Sequence, residues 1–274
     1  MTVRPDWVPT EVDTDVPSVA RMYDVYVGGE NNLESDRDTV REALTALPGL
    51  DIAIRANRAF LRRAVRLAAS EHGITQFLDV GCGILTPGET NVHDVARRTH
   101  PDARVAYVDQ DPAAVAKNRA LLADDPNSVA LAGDFLQPRD ILDHADVRGL
   151  IDFDKPVALL LVAVLHFIED LDDPCEKIRQ FRDALAPGSV LILTHAYVDG
   201  APDGGSSAAD LQDVYRTFGA KLQNRGPAET TKFFDGFKLL EPALVGMADW
   251  RPDADTESDH PMTHTGVVGV AVKE

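Results

Sequence analysis

Three aspartates stand at the ends of three apolar runs in this chain. In Phe77-Leu78-Asp79-Val80-Gly81-Cys82-Gly83 the acid comes two residues before a glycine-rich turn. Glycines at 81 and 83 let the main chain turn sharply and approach a ligand, because no Cβ stands in the way. The second run, Ala103 to Val108, ends in Asp109. An acid at the end of the second strand of a doubly wound sheet is placed to accept hydrogen bonds from ribose hydroxyls. The third run, Val129 to Gly133, is followed by Asp134-Phe135. Any one of these acids could be a loop residue of an acidic protein. Three of them, in order, at successive strand ends, point to a nucleoside-binding crevice. Cys82 and Gln110, neighbours of these acids, and Ala163, near the end of the fourth apolar run, join them as candidate ligand-binding residues.

Apolar run, acid and Gly-x-Gly in that order resemble the first motif of class I S-adenosylmethionine-dependent methyltransferases. That resemblance implies that the acid after the third strand reaches the adenine amino group, with the apolar Phe135 against the ring. A dehydrogenase is the nearest rival. Its fingerprint, Gly-x-Gly-x-x-Gly, needs a third glycine for close approach of a helix to pyrophosphate. Thr86 occupies that position here, and Leu85 stands where many methyltransferases carry a third glycine. Ile84-Leu85-Thr86-Pro87 must therefore take its own path into the next helix.

The spacing of apolar residues supplies the elements that position these groups. Three helices precede the first strand: one from Ser18, a capping residue, to Gly28-Gly29; one from Ser35 to Leu47; and one from Asp51 to Glu71, ended by Gly73. Strand and helix then alternate. Strands are expected at 76–80, 103–109, 129–133, 157–164 and 189–195, with helices near 91–98, 112–123, 138–145 and 174–185. Helices at 208–222 and 227–236 lead to a sixth strand near 239–247 and a last at 265–272, the final pair with no helix between them. This order predicts an α/β fold: a doubly wound, mostly parallel seven-stranded sheet with an antiparallel C-terminal edge strand and an N-terminal helical cap. The cap is assigned residues 1–72 and the ligand-binding core 73–274.

A second resemblance covers nearly the whole chain. It is carried by Ser18 to Asn32 with Asp36-Arg37, Asn57 to Leu61, Gln76 to Gly83, Asn91 to Ala96, Tyr107 to Pro112, Pro156 to His166 and Phe233 to Gly236. Together these blocks resemble an actinobacterial family of S-adenosylmethionine-dependent methyltransferases formerly classed as a domain of unknown function. The resemblance implies the fold and S-adenosyl-L-methionine as cofactor, and leaves the acceptor open. The implied activity is in-line methyl transfer to a small molecule. The alternative is a non-catalytic protein that holds S-adenosylmethionine as a sensor or partner-binding module.

Methyl transfer mainly needs alignment of acceptor, methyl and sulfur in a water-excluding site. A base is required only where the acceptor loses its proton early. His166, after the fourth strand, is the candidate base; the competing role is a packed histidine bonded to a backbone carbonyl. His195, ending the fifth strand, and His93, past the glycine turn, read as structural or capping groups. Gly28-Gly29 followed by Asn31-Asn32 forms a polar turn. Together with Tyr26, it is expected to close over the cofactor, with Tyr26, Gly28 and Asn31 as contacts. Arg55, Arg58, Arg62, Arg63 and Arg66 read as the solvated face of the third helix, opposite the apolar stripe Ile52, Ala56, Ala59, Phe60, Ala64 and Leu67.

The chain has 274 residues, 44% of them hydrophobic and 26% charged, with a net charge of −18. That acidity argues against a nucleic-acid partner. The two cysteines, Cys82 and Cys175, are far apart and suit a reducing compartment. Met1 to Asp15 has no apolar signal segment, and the run Val157 to Leu165 is too short to span a bilayer. These features imply a cytoplasmic protein with no membrane partner and leave its oligomeric state open. Scattered histidines and the break at Pro261 between His260 and His264 argue against a metal site. The acidic run Glu169 to Asp173 reads as a solvated helix start.

Overall fold

The computed structural model of the chain describes residues 4–274 except 87, 89, 202–204, 255 and 257–259. Parts of the turn at 84–87 and of the loops at 199–207 and 253–259 thus lie outside the described residues.

Helices α1 (Val19–Tyr26), α2 (Glu34–Ala46) and α3 (Leu50–His72) come first. Then β1 (Gln76–Val80), α4 (Val92–Arg97), β2 (Arg104–Asp109), α5 (Pro112–Leu121) and β3 (Ser128–Ala132) alternate. Two short helices, α6 (Pro138–Leu142) and α7 (Ala145–Leu150), lead to β4 (Ala158–Leu161), α8 (Pro174–Ala184) and β5 (Val190–Ala196). After α9 (Ala208–Arg216) and α10 (Pro227–Thr230) come β6 (Lys238–Leu239), β7 (Val245–Gly246) and β8 (Gly266–Val272).

The strands form one sheet in the order β3-β2-β1-β4-β5-β8-β6, with β7 also paired to β8. β1 to β5 are mutually parallel, and β8 runs antiparallel to β5 from Val190 opposite Val272 to Ala196 opposite Gly266. The expected sixth strand is present as two short pieces, β6 and β7, on the same edge of β8. The antiparallel last strand therefore lies one place inside the edge rather than at it.

Alternate residues of each parallel strand serve opposite faces. Phe77, Ala158, Leu160, Val190 and Ile192 join the core beneath α1 to α4 and α9, whereas Leu78, Leu159, Leu161, Leu191 and Leu193 join that beneath α6 to α8. Burial on both faces explains why these strands read as unbroken apolar runs. β4 is shorter than its apolar run. After Leu161 the chain leaves the sheet, and Ala163 adopts a left-handed conformation with φ 60°. A 3-10 turn, Leu165–Phe167, follows.

The third helix is not simply basic on its solvent face. Arg63 is only 3% exposed, and its guanidinium donates to the carbonyls of Trp250 (3.0 Å) and Met247 (2.7 Å). Its long stem spans the apolar layer and ties α3 to the segment before β8. Among the described residues no helix is long and apolar enough to cross a membrane.

Candidate active site

The strand order reverses between β1 and β4, and a crevice opens beyond their C-terminal ends, as expected at such a switch point. β1 delivers Asp79 and the glycine turn. Gly81 has φ 77°, and a Cβ on it would collide with Val164 Cγ2, so only glycine fits the fold here. The amides of Gly81 and Cys82 donate to the Val108 carbonyl (2.8 and 3.1 Å), folding the turn onto the end of β2. Gly83, with φ 63°, has open space where a side chain would stand.

Asp109 is buried and anchored from two sides. Gly83 N donates to Oδ2 (2.7 Å) and Asp111 N to Oδ1 (2.9 Å). The Gln110 amide contributes a third backbone hydrogen bond, and a carboxylate's four lone pairs leave room for a further donor. Burial raises its pKa to about 6, against the opposing backbone hydrogen bonds. Asp79 is more perturbed: burial, opposed by Arg58 and reinforced by the Asp109 charge, raises it to about 7. No hydrogen-bond partner for its carboxylate is present among the described residues. The same burial and the two carboxylates push the Cys82 thiol well above its ordinary value, so it stays protonated.

These groups line a cavity of about 680 Å³ together with Gln110, Asp134, Phe135 and Ala163. Leu136 N donates to Asp134 Oδ1 (2.8 Å), and Phe135 stacks on Phe181. Acids outnumber bases in the wall: Asp79, Asp109, Asp111, Asp134, Glu169 and Asp172 face Arg58 and Lys221. Lys221 is itself bound to Glu169 at 2.6 Å. An anionic cavity of this kind suits a cationic ligand and repels a dinucleotide's diphosphate.

Several contributors had no clear signal in the sequence. Asn118, on the buried side of α5, accepts from Leu85 N (2.8 Å) and donates to the Gly83 carbonyl (2.8 Å). It ties both ends of this turn segment to α5. Arg58 leaves the solvated set assigned to α3, donates to Asn91 Oδ1 (3.1 Å) and lies in the cavity wall. Ser18 caps α1, as its position predicted, and its hydroxyl also donates to the Asp111 carboxylate. Pro17 to Ala20 thereby close one side of the cavity. Arg225 was also missed. Its guanidinium joins Asp170 Oδ1 (2.6 Å), the carbonyls of Leu165 and Ile168 and His195 Nε2 (3.1 Å). The acidic run is therefore partly spent on fixing the segment after β4, and Asp173 caps α8.

A second, smaller cavity of about 120 Å³ adjoins the first, and Val19, Tyr23, Ala163 and Phe167 belong to both walls. His166 lies in this smaller cavity and not in the larger one. Its Nδ1 accepts the Ala196 amide at 3.4 Å, and burial with neighbouring His195 and Arg225 holds its pKa well below the usual histidine value. His195 is likewise depressed by burial, to about 4, with Nδ1 on the Ala196 carbonyl. Both rings are neutral at physiological pH. His93 bonds the Tyr107 hydroxyl at 2.7 Å on α4, away from both cavities.

Tyr26 lines the smaller cavity only. Gly28 and Asn31 line neither. The 28–32 turn instead wraps the buried Asp24: Gly29 N donates to its carbonyl (2.8 Å), and Asn31 N (2.8 Å) and Asn32 Nδ2 (2.9 Å) donate to its Oδ2. A Cβ at Gly29 would collide with that carboxylate. The glycines that suggested a ligand-closing segment thus have a role inside the fold.

The chain matches the model of a family described as S-adenosyl methyltransferase over residues 5–274. It is similar to the crystal structure of a DUF574 family protein from Streptomyces avermitilis, with 34% identity, a TM-score of 0.90 and coverage of 96% of this chain and 99% of that one. It is also similar to a candidate methyltransferase from Thermobifida fusca, with 40% identity, a TM-score of 0.90 and coverage of 98% and 100%. No curated protein matches the chain.

Proposed function

The chain belongs to the S-adenosyl methyltransferase family, and from that premise we propose that it methylates a small molecule held in the smaller cavity, beside S-adenosylmethionine in the larger one. The observation that carries this reading is the junction of an anionic cavity at the switch point with a second, mostly apolar one. A sensor needs no such adjoining space.

The residues present fit the cofactor. Asp109 keeps acceptor capacity for a ribose hydroxyl. Asp134 and Phe135 stand where the adenine amino group and ring would lie, and Gln110 flanks them. Asp79, a buried carboxylate with no partner, suits the cationic methionine end, with the Gly81–Gly83 turn and Ala163 alongside. When bound, S-adenosylmethionine would supply a methyl group on a sulfonium sulfur: the acceptor lone pair would form the new bond, the sulfur would keep the old bonding pair, and an acceptor O–H or N–H proton would leave to solvent.

The chain's own residues bind, orient and exclude water. Thr194 Oγ1 accepts the Ala163 amide (2.8 Å), fixing the left-handed residue that separates the two cavities. Tyr23 and Phe167 form the remaining partition. His166, neutral and with Nδ1 taken by a backbone amide, keeps its proton on Nε2; its role is to donate a hydrogen bond and orient the acceptor rather than to act as base. Tyr26 belongs with the acceptor. The wide spacing of Cys82 and Cys175 supports a cytoplasmic setting.

Calorimetric titration with S-adenosylmethionine and, separately, with NAD tests the cofactor. Saturable binding of the first alone is expected; binding of NAD, or of neither by folded protein, would overturn the reading.

A further inference from the structure

The wall of the smaller cavity carries chemical information about the acceptor. Among its described residues there is no Lys, Arg, Asp or Glu, and both of its histidines are neutral. A carboxylate, phosphate or ammonium group inside would lose its hydration with no opposite charge to replace it. The volume, about 120 Å³, is close to the ~150 Å³ of an apolar cavity that accepts benzene. Tyr23, Tyr26, Phe167 and Tyr215 supply ring surfaces, and Phe167 and Tyr215 lie 5.8 Å apart between centroids. Ring edges and faces favour an aromatic guest over an aliphatic one of similar size.

Two polar atoms of this wall have unmet hydrogen-bonding capacity. Asn57 is 5% exposed; its Nδ2 donates to the Tyr23 hydroxyl (3.0 Å), while its Oδ1 is buried with no hydrogen bond. The Tyr26 hydroxyl is buried beside that of Tyr215, close enough to perturb its ionisation, and keeps hydrogen-bonding capacity for a further partner. Buried polar atoms left unpaired are costly and uncommon, and a ligand that pairs them recovers the loss. Asn57 sits next to Tyr23, at the partition between the cavities, so a donor bound to it lies toward the cofactor side.

We infer that the smaller cavity takes an uncharged acceptor with a single aromatic ring, whose hydroxyl or N–H donates to Asn57 Oδ1 with the Tyr26 hydroxyl as a second contact. The inference rests on the larger cavity being the cofactor site.

The test uses fluorine NMR titrations of the full chain with 4-fluorophenol, 4-fluorotoluene and 4-fluorobenzoate, each with and without S-adenosylhomocysteine. Saturable binding of 4-fluorophenol is expected, about fivefold or more tighter than 4-fluorotoluene, from one recovered buried hydrogen bond. The benzoate should bind more weakly than either. Asn57→Leu should bring the phenol to parity with the toluene while both still bind. Tyr26→Phe, which removes only a hydroxyl, should narrow the same difference and serves if the first variant does not fold. Equal or tighter binding of the benzoate, no saturation by the phenol, or an unchanged phenol preference in the folded variants would overturn the inference. If S-adenosylhomocysteine binds by calorimetry but the phenol does not saturate, the acceptor class is wrong and the cofactor site stands. If the phenol saturates but S-adenosylhomocysteine does not bind, the cofactor reading fails and the ring site stands.

Discussion

Replacing Asp79 by Asn should move stability and cofactor affinity in opposite directions. The side chains have nearly the same shape, so the change removes a buried charge and little else. In the protein without cofactor, burial carries this carboxyl from 3.8 to about 7, which corresponds to roughly 4 kcal/mol against the ionised form. The folded state then binds more protons than the unfolded chain between those values. This contribution to stability therefore declines as pH rises from about 4 to 7, and is fully lost above 7. An amide in its place does not titrate and has no such dependence. Urea denaturation should find Asp79→Asn close to the parent near pH 4 and more stable by up to roughly 4 kcal/mol at pH 8. Calorimetry at pH 8 should show S-adenosylmethionine binding weakened by about 1.5–3 kcal/mol, the worth of a charge-assisted hydrogen bond. In the parent, affinity should drop as pH falls through 7, because the protonated carboxyl no longer attracts a cation. A variant less stable than the parent at pH 8, or one that binds the cofactor equally well, would refute the assignment of Asp79 as an unpartnered charge awaiting a cation.

Asp109→Ala should weaken S-adenosylmethionine by about 1.5–3 kcal/mol in calorimetry, and should also lower the melting temperature because Gly83 N and Asp111 N lose their acceptor. Unchanged affinity would displace the ribose site. Gly81→Ala should cost about 2–4 kcal/mol in denaturant unfolding, combining positive φ with overpacking; adding Val164→Ala should restore part of it, because Val164 Cγ2 is the atom struck. His195, held to about 4 in the fold, must gain a proton on unfolding below its ordinary value near 6.5. Stability should accordingly fall as pH drops from about 6.5 to 4, and His195→Gln should show a flatter acid limb in the same denaturation assay.

The parallel sheet, the order of its elements and the crevice at the strand ends are all legible in the linear chain. Runs such as Phe77 to Val80 and Val105 to Val108 are buried on both faces, so their apolar character is continuous and their ends are visible. The acids at those ends are legible for the same reason: each interrupts an apolar run where the chain leaves the sheet. Family membership, expected from blocks spread over the chain, is established by the match over residues 5–274.

The features that emerged only on folding depend on distant contacts. Gly28-Gly29 has the same composition whether it wraps Asp24 or closes over a ligand, and only the position of the Asp24 carboxylate separates the two. Arg58 and Arg63 share a helix with exposed arginines, and the half-burial of the first and the full burial of the second follow from what α3 meets, Asn91 in one case and the carbonyls of 247 and 250 in the other. The shortening of β4 was hidden because Val162 to Val164 are as apolar as the strand itself; the left-handed Ala163 ends it. The second cavity is assembled from α1, α3, the end of β5, α9 and the chain before β8, segments far apart in sequence. Its lack of charge and the open hydrogen-bonding capacity of Asn57 and Tyr26 are properties of that assembly, because solvation and hydrogen-bond satisfaction are decided by neighbours in space rather than along the chain.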